Sequence, residues 1–168
     1  MSQRQRILCF IVLSGIVAAA VVSGGTRAAA PVPCDPDNGG ITLPPGFCAV
    51  VVADNLGKAR HLTVGVMVNG AAPTGDVYVA LQRPRDGGSI VALRDADGDG
   101  KAEIIERFGD QGGTGIAVHN GYLYFATPTS VLRYKMIPGQ LKPNTTAETV
   151  VSDLPVQSQH QDKGIAFD

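Results

Sequence analysis

Cysteine is scarce in this chain of 168 residues, with three in all, and none sits in a CxxCH arrangement, so no c-type haem attachment site is encoded. A basic patch is also missing. Lys and Arg number 14 against 15 Asp and Glu, which gives a net charge of −1 and offers nothing to a nucleic-acid backbone. No stretch keeps an apolar period of 3.6 residues, which excludes substantial helix. The apolar share of 44% nevertheless suits a packed domain rather than a disordered one.

The first thirty residues have the layout of a secretory signal peptide. Arg4 and Arg6 form a positive start, Ile7 to Val22 an apolar region, and Arg27-Ala28-Ala29-Ala30 a small-residue cleavage site. The alternative is an uncleaved anchor, which would be the chain's one link to a membrane. A lipoprotein fits poorly, because Val32-Pro33 precedes Cys34. Cleavage removes three Arg and no acid, leaving 11 basic and 15 acidic groups on residues 31–168. The implied location is periplasmic or secreted.

Residues 31–46 are a Pro- and Gly-rich lead-in. Cys34 and Cys48 remain after cleavage and bracket DPDNGGITLPPGF. In an oxidising compartment they are expected to pair, which would restrain the lead-in by about 3 kcal/mol. Two free thiols are the alternative.

From residue 47 onward the chain repeats. GDVYVAL (75–81) matches NGYLYFAT (120–127), SIVALRD (89–95) matches SVLRYKM (130–136), and AEIIERFGD (102–110) matches AETVVSDLP (147–155). The offsets are 45 residues from Val77 to Tyr122, 41 from Ser89 to Ser130 and 45 from Glu103 to Glu148. GGTGIAVHN starts again as QDKGIAFD, with Gly164 lying 49 residues after Gly115. A period of roughly 40–50 residues made of four short strands describes a propeller blade. The expected fold is all-β, about two and a half blades of a β-propeller. The apolar run Phe47 to Ala53 is expected as a β segment, Arg60 to Val64 as the first inner strand, and Gln82 to Gly88 as a turn. One blade should comprise 115–118, 122–127, 130–135 and 148–151. Tyr122 and Tyr124 should share one face, opposite Leu123 and Phe125. Because a ring needs about four or more blades, the chain by itself is expected to be an incomplete ring and inactive.

The most pointed local motif is DADGDGKAEIIE (95–106). Asp95, Asp97 and Asp99 alternate, Gly100 follows, and Glu106 stands at the twelfth position, as in an EF-hand loop. Closely spaced carboxylates of this kind suit a hard cation such as calcium, and Lys101 could add its backbone carbonyl. The flanks read as strands, so a helix–loop–helix sensor is excluded. The motif is either a cation-binding hairpin loop or a plain acidic turn satisfied by water and its own backbone.

Three histidines remain. His61 opens a strand, and His119 precedes the turn Asn120-Gly121. His160 lies in QSQHQDKGIAF, before the third inner strand, beside Asp162 and Lys163. Loops entering inner strands gather at one mouth of a propeller. His160 is therefore either a general base there or an ordinary loop histidine.

The ordered set LPPGFCAVVVADNLGKARHLTV, GDVYVAL, LRDADGDGKAE, GIAVHNGYLYFAT and LPVQSQHQDKGIAFD resembles the N-terminal part of the glucose/sorbosone dehydrogenase family. The likeness spans 41–168. It implies a six-bladed quinoprotein propeller that uses pyrroloquinoline quinone (PQQ). By resemblance His160 is the base that removes a substrate hydroxyl proton, and Gln111 and Lys163 face the cofactor. The implied substrate is a sugar, small polyol or aldehyde, and the electron acceptor a protein or quinone. The catalytic calcium of such a family would be held by later blades, so any ion at 95–106 would be structural. A non-enzymatic exported propeller used for binding or scaffolding shares the repeats and the acidic hairpin, and is the alternative.

Overall fold

A computed structural model describes residues 32–65, 75–156 and 162–168. These form an all-β fold of two four-stranded antiparallel sheets, each a simple meander in chain order. The first contains β1 (Ala59–Val64), β2 (Val77–Arg85), β3 (Gly88–Arg94) and β4 (Ile104–Phe108). The second contains β5 (Gly115–His119), β6 (Tyr122–Ala126), β7 (Val131–Lys135) and β8 (Glu148–Val151). Among the described residues the sheets do not close into a ring.

Turn chemistry sets the hairpins. Asp86-Gly87 and Asn120-Gly121 both take positive φ at their two central residues, the geometry that matches the twist of flanking antiparallel strands. The first of these turns corrects one expectation. Residues 82–85 are strand rather than turn, because the tight reversal at Asp86-Gly87 lets β2 run on to Arg85 after a register shift beyond Ala80.

Alternation on β2 and β3 builds two cores. Tyr78, Ala80, Ile90 and Ala92 face Ile116, Leu123, Phe125, Leu132 and Tyr134 of the second sheet. The Phe108 and Tyr134 rings meet edge to face at 5.2 Å within this layer. Val79, Leu81, Val91 and Leu93 face the other way and pack against Ala53, Leu56 and Ala102. Burial on both faces explains why β2 and β3 read as unbroken apolar runs in the sequence. The expected alternation on β6 holds: Leu123 and Phe125 are fully buried, and Tyr122 and Tyr124 are half-buried on the opposite face.

The segment Phe47–Ala53 is not a strand. It belongs to the lead-in, which is held by other means. Cys34 and Cys48 form the expected disulfide, with Cα atoms 5.7 Å apart. The Val51 amide donates to Asp35 Oδ2 at 2.6 Å, and the Ala102 amide donates to the Val52 carbonyl at 2.8 Å. These contacts leave Phe47 and Val52 largely exposed, outside any ladder.

Beneath the first sheet's end lies a bidentate ion pair. Arg94 Nε and Nη2 donate to the two Asp76 carboxylate oxygens at 2.7 and 2.8 Å, and the Asp76 side chain is only 4% exposed. The carboxylate raises the Arg94 pKa further above its ordinary value.

Candidate functional site

Strand β3 ends at Arg94, and the chain then folds back through residues 95–103 to enter β4. Glycines at 98 and 100 take positive φ and allow the loop to curl inward. Asp95 sits at the centre. Its two oxygens accept from the Gly98 amide at 2.6 Å and the Gly100 amide at 2.7 Å. These bonds, Gly100 first, hold its carboxyl below the ordinary aspartate value. Asp97 accepts from the Asp99 amide, Asp99 from the Lys101 amide, and Glu103 from the Ala96 amide.

One oxygen from each of Asp95, Asp97, Asp99 and Glu103 lies within 4.8 Å of the others, which makes the cluster able to coordinate a metal ion. Calcium–oxygen bonds of about 2.3–2.6 Å put two ligands of one ion up to roughly 5 Å apart, so the spacing fits a single hard cation. Glu106 is not in the cluster. A strand follows the loop where an EF-hand would have a helix, so Glu106 becomes a ladder residue opposite Ala92, and Glu103 is the fourth carboxylate instead. The Lys101 ammonium points to the lead-in and meets Asp35 at 2.8 Å. The disulfide loop is thereby fastened to the acidic loop.

A second gathering of polar and charged side chains occurs where β1, β5 and residues 162–167 run alongside one another. His160 lies outside the described residues. Its near neighbours do not. The Lys163 amide donates to Thr114 Oγ1 at 3.0 Å, and its ammonium donates to the Pro155 carbonyl at 3.1 Å. Asp162 pairs with Arg60 of β1. His61 Nδ1 lies 2.8 Å from the Thr114 carbonyl. A carbonyl can only accept, so in the neutral ring Nδ1 carries the hydrogen and Nε2 presents its lone pair. In the sequence His61 stands only at a strand start. Its signal was the dipeptide Arg60-His61 at the head of an inner strand, which acquires a partner only once β1 lies beside β5.

Gln111 is elsewhere. It lines a groove between the connection after β4 and the connection before β8, with Asp110, Tyr134 and Thr145, and that groove does not include Lys163. The described residues therefore do not join Gln111 and Lys163 into one cofactor cradle. No complete quinone site is assembled from them.

On the free face of the second sheet, Phe167 stacks on His119 at 4.2 Å and tilts against Tyr124 at 4.7 Å. Arg133 lies 4.5 Å over the Tyr122 ring and pairs with Glu148 at 2.8 Å.

No family model, curated protein or solved structure matches the chain. No helix among the described residues is long and apolar enough to cross a membrane.

Proposed function

We propose that this chain forms the first blades of an exported quinoprotein dehydrogenase of the glucose/sorbosone type, acting on a sugar, small polyol or aldehyde. The observation that carries the reading is the placement of residues 162–167. They lie against Thr114, just before β5, and against Gly115, its first residue, while β5 lies against β1. Each repeat therefore begins beside the start of the one before it, an adjacency that favours the propeller reading without itself closing a ring. The His61 and Arg60 side chains, Thr114 and Lys163 sit at that shared end, where the resemblance puts the substrate base on His160.

In this reading PQQ, held mainly by later blades, would supply the hydride acceptor, and the chain's own contribution is the end where Arg60, His61, Thr114 and Lys163 gather. By the resemblance, the His160 imidazole would take the substrate hydroxyl proton. The acidic loop holds a structural calcium ion through Asp95, Asp97, Asp99 and Glu103, far in role from the redox step.

The test is a dye-coupled dehydrogenase assay of the parent polypeptide with added PQQ, calcium and a panel of aldoses and polyols. Sugar-dependent turnover that falls roughly 10²–10⁴-fold in His160→Asn supports the reading. Quinone-independent behaviour with intact sugar or partner binding supports the alternative, an exported propeller used as a binding module. Residues 31–168 alone should show no turnover above background.

A further inference from the structure

Tyr134 is 5% exposed, yet its hydroxyl has no hydrogen-bond partner among the described residues, which sets it apart from Tyr78, whose hydroxyl donates to the Leu141 carbonyl at 3.0 Å. No buried side-chain polar atom among those residues is left unsatisfied. The Tyr134 oxygen must therefore be reached by solvent, and the opening is the groove that this residue lines. Gly109, with φ of 80°, brings the chain past the hydroxyl, where a β-carbon would stand 3.2 Å from the oxygen. Burial, and next the nearby Asp110 carboxylate, raise the phenol's pKa, so it stays protonated and able to donate.

The groove has a volume of about 420 Å³, at the lower end of the range for small-molecule sites. Its walls supply a carboxylate from Asp110, a carboxamide from Gln111, and hydroxyls from Thr145, Thr146 and Thr149. Phe108, Leu132 and Pro143 add apolar surface. Among the described residues no Lys or Arg lines it. Phosphates and organic acids would meet a carboxylate with no compensating cation. The many groups that both donate and accept suit a ligand that does the same, and the apolar wall suits the C–H face of a ring.

We propose that this groove binds a small, neutral, cyclic polyol, with the solvent-reached Tyr134 hydroxyl as a hydrogen-bonding group in its lining. The proposal stands on the groove alone and does not rest on the dehydrogenase reading.

Amide-resolved NMR of the full chain, without quinone or calcium, tests it with myo-inositol and with glucuronate, a ring of similar size that carries a negative charge. Myo-inositol should shift the amides of Asp110, Gln111, Thr145 and Thr146, and glucuronate should bind at least about tenfold more weakly. Tyr134→Phe should weaken myo-inositol about tenfold, the worth of one hydrogen bond, while leaving the thermal midpoint unchanged because the hydroxyl has no internal partner. Absence of shifts at about 100 mM myo-inositol, a concentration that detects millimolar affinity, would overturn the proposal. So would equal binding of glucuronate, or a lowered midpoint in Tyr134→Phe. Because the readout involves no oxidation, its failure leaves the dehydrogenase reading standing.

Discussion

Gly115 lies directly against the carbonyl of Lys163, and a β-carbon at position 115 would collide with that oxygen. The residue opens β5, and its φ is not in the left-handed region. Its lack of a side chain serves close approach rather than an unusual backbone angle. The same contact is reinforced next door, where Thr114 accepts from the Lys163 amide.

Gly115→Ala should therefore destabilise the protein by about 1–3 kcal/mol, the usual cost of overpacking. Urea unfolding of the variant would show a lower midpoint. A midpoint equal to that of the parent chain would mean that residues 162–167 do not dock on β5 in solution.

Removing the Cys34–Cys48 bridge should cost about 3 kcal/mol, the chain-entropy value for a loop of this size. Cys34→Ser with Cys48→Ser is the appropriate variant, since it leaves no stray thiol. Thiol labelling of the denatured, non-reduced chain should find both cysteines protected. Stoichiometric labelling of both would contradict the pairing.

Breaking the Arg94–Asp76 pair should be among the most damaging single changes. Asp76→Ala strands a partly buried guanidinium that now makes two charge-assisted bonds, and losing one partner of such a pair typically costs about 3–5 kcal/mol. Arg94→Met removes the charge but leaves Asp76 buried, and should be comparably harmful. Replacing both by apolar residues should recover part of the loss. Equilibrium unfolding of the two single variants and the double variant measures the coupling.

Strand placement was legible because two local signals agreed at each position. Asn120-Gly121 marks a tight reversal, and the residues after it alternate apolar and amphipathic, so β5 to β8 fall within a residue or so of the repeat-derived bounds. Phe47–Ala53 misled for the opposite reason. Its apolar run carries no turn partner, and the disulfide and the Asp35 carboxylate hold it outside any ladder. The acidic loop was legible as a type of chemistry but not as a ligand set. Letter spacing pointed to Glu106, whereas the strand that follows uses Glu106 in its ladder and turns Glu103 toward the loop. The His61 contact joins residues 53 positions apart, and the Tyr134 groove gathers residues from 108–111, 132–134 and 143–149, so neither is formed by one local segment.

Calcium should raise the thermal midpoint of the full chain, because an ion bound only by the folded loop stabilises by mass action, by about 2.7 kcal/mol at a hundredfold excess over the dissociation constant. Asp97→Asn should weaken that response without unfolding the protein, since Asp97 accepts only one local amide bond. EDTA should reverse the calcium shift. A midpoint indifferent to calcium and EDTA would mark the loop as a plain acidic turn.

Acid should loosen this same corner first. Asp95 is held below the ordinary aspartate value of 3.8 by the Gly100 and Gly98 amides, and Asp35 below the same value by the Lys101 ammonium and then the Val51 amide. A carboxyl whose pKa is depressed on folding binds fewer protons in the folded state. Its contribution is present in full above the unfolded value and is lost as pH falls through the depressed one. Stability should thus be level in this respect down to about pH 4 and then decline. Asp95→Asn removes one titrating group, so its denaturation midpoint should start lower at neutral pH and fall less steeply in acid than that of the parent chain. Parallel acid limbs for the two proteins, measured by urea unfolding at each pH, would show that the Asp95 hydrogen bonds do not persist in solution.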